Sequence, residues 1–326
     1  MLRNNCYLAK ADKKKWSWVS NRDFLIDYWR EGVRRGTGNG ERGTGNGEWG
    51  TGNGERGTDV LWTIGMRGIH DGRMPDGKTT EEKVKILEEV FAAQCAMLPE
   101  GASKLFCPYK EVLPIFNAGL KVPEDATILW VNDNFGYIRR LGGPHPSTPS
   151  LPTHPIKHYS RQGIYWHLSY WGRPHGYIHL CTTPPAFMWY ELVAKCWGNG
   201  VRDVWMVNAG DVFQAEILLD AFGKFAADPD SWGPNAQDRF LSEWVDGFLA
   251  AKDAKSTKER IASHLAEYYN LGFNRKPEHM CIQWSRNLPE SVKASLLKRY
   301  HDLLNEDMAF ERLLVDSSRF TRSSRL

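Results

Sequence analysis

Short apolar runs alternate with amphipathic segments between residues 59 and 230, and this alternation constrains the fold more than any other feature. Five runs have the length and the β-branched or aromatic content of buried strands: 60–64, 104–107, 127–131, 164–168 and 203–207. Segments with helical spacing of apolar residues accompany them at 80–97, 112–118, 187–197 and 215–227. Strands that alternate with helices form parallel βα units. The sequence therefore predicts an α/β fold with a parallel sheet.

Polar or charged residues accompany the C-terminal end of every predicted strand. In strand order they are Arg67, His70 and Asp71; Tyr109 and Glu111; Asn132, Asp133 and Asn134; Tyr165, His167 and Tyr170; and Asn208 and Asp211. A single polar residue after a strand is more often a helix cap, part of a turn or a satisfied core residue. Five such groups in register are better explained by a (β/α) barrel, whose active site lies at the C-terminal ends of its strands. We therefore predict an incomplete TIM-type barrel of about five βα units.

Two carboxylates in this pattern, Asp71 and Glu111, follow adjacent predicted strands. Paired carboxylates suit hydrolysis of a glycosidic bond, since one acid protonates the leaving oxygen and one carboxylate activates water. The 14 tryptophans are mainly expected in the core, but some could stack on sugar rings. Arg67 could bind an anionic substrate group, because a guanidinium matches a carboxylate with two parallel hydrogen bonds.

Several other functional classes are not supported by the composition. A net charge of +3 does not favour a nucleic-acid partner, and no apolar run is long enough to predict a membrane helix. The six cysteines form no CxxC pair, and His70, Asp71 and His167 lack the spacing of a metal motif. We therefore predict no metal and no cofactor. The first 15 residues lack the apolar stretch of a secretory signal, which leaves the localisation open.

A seven-residue repeat, RGTGNGE, occupies residues 35–58 with small variations. So many glycines predict a flexible low-complexity tract, and a phosphate-binding loop is not favoured because no strand precedes it and GK[ST] is absent. The repeat divides an N-terminal segment with a helix, 1–34, from the partial barrel, 59–230. After residue 231 only helical patterns occur, which predicts a helical domain over 231–326.

Six blocks of this sequence resemble successive blocks of glycoside hydrolase family 115, the xylan α-1,2-glucuronidases. The resemblance covers roughly residues 16–34 and 59–285. The blocks are WTIGMRGIHDG, LFCPYKEVLPIFNAGLKVPED, ILWVNDNFGYIRRL, GIYWHLSYWGRPHGY, VWMVNAGDVFQAEILLDAF and EYYNLGFNRKPEHM. The resemblance implies a (β/α)₈ catalytic barrel and inverting hydrolysis without a required metal. The implied substrate is glucuronoxylan, or a xylo-oligosaccharide decorated with glucuronic acid or its 4-O-methyl ether.

The resemblance also assigns roles to individual residues. It implies Asp71 and Glu111 as the acid/base pair, with Glu111 favoured as the acid. The substrate-binding residues that the pattern and the resemblance suggest together are Arg67, His70, Tyr109, Asn132, Asp133, Asn134, Tyr165, His167 and Asn208.

The sequence departs from the family pattern in ways that bear on activity. The family's Asp-Asp-Asn motif is here Asn132-Asp133-Asn134, so one carboxylate is lost, and a Pro-rich stretch fills 144–155. Family members are longer and often secreted, and they carry a further important Glu on an earlier barrel strand. Three hypotheses follow: a truncated glucuronidase, an inactive remnant of that fold, or an unrelated α/β enzyme acting on a small molecule. The third hypothesis is not favoured, because the sequence lacks the Gly-rich turn between strand and helix that nucleotide binding would need.

Overall fold

The computed structural model describes ten stretches of the chain, and all structural statements below refer to them. They are residues 16–37, 60–69, 72–133, 136–142, 161–171, 177–179, 183–210, 212–249, 255–274 and 289–305. Residues 38–58 of the glycine repeat and the whole Pro-rich stretch therefore lie outside the described residues.

A five-stranded sheet contains all five strands that the sequence predicts. The strands are β1 (Trp62–Thr63), β2 (Lys104–Phe106), β3 (Ala126–Val131), β4 (Gln162–His167) and β7 (Val204–Asn208), in the order β1-β2-β3-β4-β7. Neighbouring strands from β1 to β4 pair in parallel, with Trp62 opposite Lys104 and Ile128 opposite Gln162. The prediction of parallel βα units is thus confirmed.

A second, two-stranded sheet was not predicted from the sequence. Its strands, β5 (Ser169–Trp171) and β6 (Tyr177–His179), pair antiparallel. They lie in the connection between β4 and β7, for which the sequence predicted only the helix at 187–197.

Eight α-helices are present in the described part of the chain. They are α1 (Arg22–Gly36), α2 (Thr80–Cys95), α3 (Leu113–Asn117), α4 (Pro185–Trp189), α5 (Val212–Ala227), α6 (Ala236–Phe248), α7 (Lys255–Asn274) and α8 (290–305). Helix α4 continues as a π-helical segment, Tyr190–Cys196. It begins two residues before the predicted position because Pro185 fits the first turn of a helix, where no N–H is needed.

The chain forms two compact units. The first comprises Met1–Val131, Ile138–Tyr165 and Gly200–Met206, and the second comprises Asn132–Tyr137, Trp166–Asn199 and Val207–Leu326. We describe each unit by itself.

The core of the first unit is a chain of aromatic rings between the helices and the sheet. Phe91 of α2 contacts Phe106 of β2 edge to face, with ring centroids 5.1 Å apart. Phe106 contacts Phe116 of α3 at 6.2 Å, and Phe116 contacts Trp130 of β3 at 6.1 Å. These four rings are 2% exposed or less. Their burial therefore holds α2 and α3 on the sheet.

The core of the second unit lies among its helices. Phe225 of α5 contacts Trp232 at 5.0 Å and Phe240 of α6 at 6.3 Å between ring centroids. Arg239 lies over the face of Trp232, 4.3 Å from its centroid. Met188 and Leu192 are fully buried in the same unit.

The parallel sheet with its helices is an incomplete (β/α) barrel followed by further helices, which confirms the predicted fold class. Among the described helices, none is long and apolar enough to cross a membrane.

Candidate active site

The end of β1 is held by a side chain of α2. Gly65 adopts a φ of +109°, a conformation that favours glycine, and turns the chain out of the strand. Its N–H donates to Gln94 Oε1 at 2.7 Å, and its carbonyl accepts from Gln94 Nε2 at 3.1 Å. Gln94 is 6% exposed. Both backbone polar groups of Gly65 are therefore satisfied by one buried amide, which fixes the direction in which the chain leaves β1.

Arg67 follows this turn in a tightly folded loop. Trp16 Nε1 donates to the Arg67 carbonyl at 2.8 Å, and the N–H of Gly68 donates to the Gly72 carbonyl at 2.8 Å. A Cβ on Gly68 would lie 2.2 Å from the Arg73 carbonyl oxygen, so only glycine fits there. The backbone of Arg67 is thus anchored on one side by the N-terminal segment and on the other by the loop's own closure.

Glu111 is presented by a strained turn after β2. The chain leaves β2 through Tyr109 and enters a 3₁₀ turn over Lys110–Val112, closed by the Val112 N–H donating to the Tyr109 carbonyl at 3.0 Å. Lys110 has a φ of 46°, in the left-handed region, which costs an L-residue free energy. Strained backbone of this kind concentrates at functional sites. Here it turns the residue next to it, Glu111, toward the end of β1.

Arg67 and Glu111 form an ion pair. Arg67 Nε lies 2.8 Å from Glu111 Oε1, and the side chains are 37% and 8% exposed. The two atoms lack the alignment of a linear hydrogen bond, so the contact is chiefly one of charge. The structure therefore brings together two residues that the sequence predicted at the ends of neighbouring strands, with the carboxylate covered and the guanidinium partly open to solvent.

Cys107 lies in the field of this ion pair. Cys107 is half-buried by surface area, and desolvation raises the pKa of its thiol to about 12; Arg67 opposes this rise and Glu111 adds to it. The thiol is therefore neutral at physiological pH and is not a candidate nucleophile.

A second pair, Asn132 and His167, lies in the second unit at the ends of β3 and β4. Asn132 is completely buried and His167 is 7% exposed. The Asn132 amide donates through Nδ2 to the His167 carbonyl at 3.2 Å and accepts through Oδ1 from the His167 N–H at 2.8 Å. The ring atom His167 Nδ1 lies 2.9 Å from the same Oδ1. The side-chain amide of Asn132 thus bonds the His167 backbone in the way that the peptide group of a neighbouring strand would.

The other predicted residues occupy less distinctive positions. Asp133 closes a turn: its N–H donates to the Tyr137 carbonyl at 2.8 Å, and its Oδ1 accepts from the Tyr137 N–H at 3.0 Å. This is the turn chemistry that the sequence offered as the plainer explanation of the Asn-Asp-Asn run. Tyr165 is a half-buried residue of β4, opposite Val131, and Tyr109 is half-buried as well. The carbonyl of Asn208, the last residue of β7, accepts from the Leu168 N–H at 2.9 Å.

His70, Asp71 and Asn134 lie outside the described residues. The separation of Asp71 from Glu111 therefore stays a prediction. Within the described ranges, no group of three His, Cys, Asp or Glu side chains is placed to hold a metal ion.

Sequence reasoning missed the residues that hold the site in place. Gln94 could have been found, because it follows Leu87, Val90 and Phe91 on the buried face of α2, where a polar residue needs a partner. Trp16 and the strain at Lys110 left no sequence signal, since both depend on contacts or dihedral angles set by the fold.

The chain is similar to known glycoside hydrolases. The family model for glycosyl hydrolase family 115 matches residues 1–279. A solved structure of a family 115 4-O-methyl-α-glucuronidase, described as specific for decorated arabinogalactans, is 32% identical in sequence with a TM-score of 0.65. The match covers 81% of this chain and 32% of that one, so the chain spans about a third of the length of the structure it matches. No curated protein matches. With most of its length matched by the family model, the chain belongs to glycosyl hydrolase family 115.

Proposed function

We propose that this chain is part of an enzyme that removes glucuronic acid, or its 4-O-methyl ether, from a decorated polysaccharide. The observation that carries the proposal is the ion pair of Arg67 and Glu111 at the ends of β1 and β2, 2.8 Å between Nε and Oε1. Family membership excludes the unrelated α/β enzyme that the sequence left open.

Arg67 suits the acidic group of the sugar. A guanidinium carries five N–H donors in a planar fork, so contact with Glu111 through Nε is compatible with a second carboxylate partner. With 37% of its side chain exposed, Arg67 is also the more accessible member of the pair. We therefore assign it to binding of the glucuronate carboxylate.

Glu111 is proposed as the general acid of an inverting mechanism, with Asp71 as the base that activates water. The carboxyl of Glu111 lies 2.8 Å from Arg67 Nε, so a sugar acid bound to this guanidinium would lie beside the proposed acid.

The proposed substrate class rests on the glucuronic acid decoration that the solved relative and the resembled family have in common. The solved relative is described as acting on decorated arabinogalactans, whereas the sequence blocks resemble xylan α-1,2-glucuronidases. The glucuronic acid decoration is common to both. We propose glucuronoxylan as the substrate, with decorated arabinogalactan as the alternative backbone.

The number of strands in the described sheet bears on whether this chain is active alone. The described sheet has five strands with β1 and β7 at its edges, whereas a closed TIM barrel has eight. We propose that the active form is a longer product with a complete barrel, and that the 326-residue chain alone has little or no activity. An inactive remnant of the fold is the competing proposal.

The test compares this chain with any longer native product, identified by intact mass. Both are incubated with 4-O-methylglucuronoxylan and with glucuronic-acid-decorated arabinogalactan, and the released acid is quantified by chromatography. The first anomer formed, followed by ¹H NMR, tests inversion. In the longer product, we expect Glu111→Gln to lower kcat by at least about 10²-fold, the size of a general acid's contribution. We expect Arg67→Ala to lower kcat and raise KM together.

Neutral xylo-oligosaccharides serve as the blank, because they carry no glucuronic acid to release. Lys85→Ala, an exposed substitution on α2, serves as the control variant. Unchanged kinetics of Arg67→Ala on the acidic substrate would exclude the proposed role. A longer product that releases no uronic acid would favour the inactive remnant.

A further inference from the structure

The Asn132 side chain is oriented without ambiguity. The backbone N–H of His167 can only donate and its carbonyl can only accept. The Asn132 atom 2.8 Å from that N–H must therefore be the oxygen, and the atom 3.2 Å from that carbonyl must be the nitrogen. Exchanging the two atoms would place donor against donor and acceptor against acceptor in a fully buried position.

This orientation determines where the proton of the His167 ring lies. Asn132 Oδ1 has no hydrogen, so at 2.9 Å it can bind His167 Nδ1 only if Nδ1 is protonated. In the neutral ring, Nε2 then carries the lone pair. The bond made by one ring nitrogen thus sets the chemistry of the other.

We propose that Asn132 is a positioning residue that holds His167 as the Nδ1–H tautomer, so that Nε2 is the ring nitrogen with the lone pair. This tautomer does not depend on the proposed glucuronidase function. Asparagine suits the position because it supplies a donor for the His167 carbonyl and an acceptor for both N–H groups. Aspartate would supply only acceptors and would bring a charge that favours the doubly protonated ring.

The tautomer can be measured on the full chain without any assay of activity. Long-range ¹H–¹⁵N correlation spectra of protein labelled on histidine report which ring nitrogen carries the proton, and His167→Gln identifies the signals of His167. At about pH 8, well above the ordinary histidine pKa, we expect a protonated Nδ1 and an unprotonated Nε2. A proton on Nε2, with Nδ1 unprotonated, would overturn the proposal.

Two variants separate a specific effect from a structural one. Asn132→Asp should move the His167 signals toward those of the imidazolium ring, whereas Asn117→Asp, an exposed change in α3, should leave them in place. Equal spectra for Asn132→Asp and the unchanged protein would count against the proposal. If Asn132→Asp fails to fold, the spectrum of the unchanged protein still decides the tautomer. A confirmed tautomer in a chain whose longer product releases no uronic acid would refute the proposed function alone.

Discussion

Lys110 shows how a single residue is strained to present the candidate acid. Its φ of 46° lies in the left-handed region, where the Cβ of an L-residue approaches the following carbonyl oxygen. The next residue is Glu111, whose carboxylate contacts Arg67. Lysine at this position therefore costs stability that glycine would not cost.

This strain predicts the effect of replacing Lys110 by glycine. Lys110→Gly relieves about 1–2 kcal/mol of left-handed strain, offset by roughly 0.4–1 kcal/mol for the more flexible unfolded chain, and also removes the contact of Nζ with the Tyr109 ring. We expect unchanged or slightly higher stability in urea unfolding. The matched control Lys85→Gly, in the middle of α2, should cost about 1 kcal/mol. Equal losses at the two positions would contradict the strained turn.

Cys107 provides a residue-scale test of how completely the ion pair is covered. Cys107 is half-buried by surface area, and desolvation raises the pKa of its thiol to about 12, so little of the thiol is ionised at about pH 8. We expect alkylation of Cys107 by iodoacetamide to be much slower in the folded protein than in urea, read by peptide mass spectrometry. Rapid labelling of the native protein would show that the site is open.

The raised pKa of Cys107 also determines how folding stability changes with pH. Because the folded pKa lies above the ordinary value of 9.0, the unfolded thiol loses its proton first as pH rises. The contribution of Cys107 to stability is therefore present below about pH 9 and is lost between about pH 9 and pH 12.

At the scale of elements, α2 and β1 are coupled through the Gln94 amide. Replacing Gln94 by leucine keeps the side-chain volume but removes the amide that bonds the N–H and the carbonyl of Gly65. An unsatisfied buried polar group costs about 1–3 kcal/mol, so we expect Gln94→Leu to destabilise the fold by about 2–4 kcal/mol in urea unfolding. The loop that carries Arg67 should then lose protection against hydrogen exchange.

Gln237 of α6 is the matched control for this substitution. It is also buried, but its Nε2 bonds only the Asn270 side chain, at 3.4 Å, and its Oε1 has no hydrogen-bond partner. Gln237→Leu should therefore change stability by less than about 1 kcal/mol. A loss as large as that of Gln94→Leu would show that burial, and not the bonds to Gly65, sets the effect.

The main elements were predictable because each carries its own local pattern. The continuous apolar runs of β2 and β3 identify buried parallel strands, and the spacing of Leu87, Val90 and Phe91 identifies one face of α2. The pairing of β5 with β6 was missed, since three-residue strands leave too short a pattern to detect. Element type was therefore easier to predict than element length.

The sequence predicted where Arg67 and Glu111 lie along the chain but not their contact. That Arg67 and Glu111 follow adjacent strands can be read from the sequence, and parallel pairing places them near each other. That Arg67 contacts Glu111 depends on the bend at Gly65 and the strained Lys110, which only the fold determines. Likewise, a sequence shows Asn132 as a polar residue after a strand, but its pairing with the His167 backbone depends on the register of β3 and β4.

At the scale of the whole molecule, the segment before the glycine repeat contacts the segment after it. Gly36, at the end of α1, lies against the Trp62 ring of β1, so close that a Cβ on Gly36 would be 2.4 Å from the ring atom Cη2. The N-terminal segment is also joined to the loop after β1 by the bond from Trp16 Nε1 to the Arg67 carbonyl. The repeat therefore connects two ends that are already held together by packing.

This arrangement predicts that residues 38–58 can be replaced by a short linker. Six Gly/Ser residues reach about 20 Å, and shortening a flexible loop lowers its closure entropy, which should stabilise the fold by about 1 kcal/mol or less. The repeat contributes almost no apolar side chain apart from Trp49, so little packing should be lost. We expect the thermal midpoint of the shortened protein to equal or slightly exceed that of the full chain. Gly36→Ala is the control that should lower it, because a methyl group there would collide with Trp62. A fall of many degrees in the shortened protein, comparable with that of Gly36→Ala, would show that the repeat is part of the folded structure.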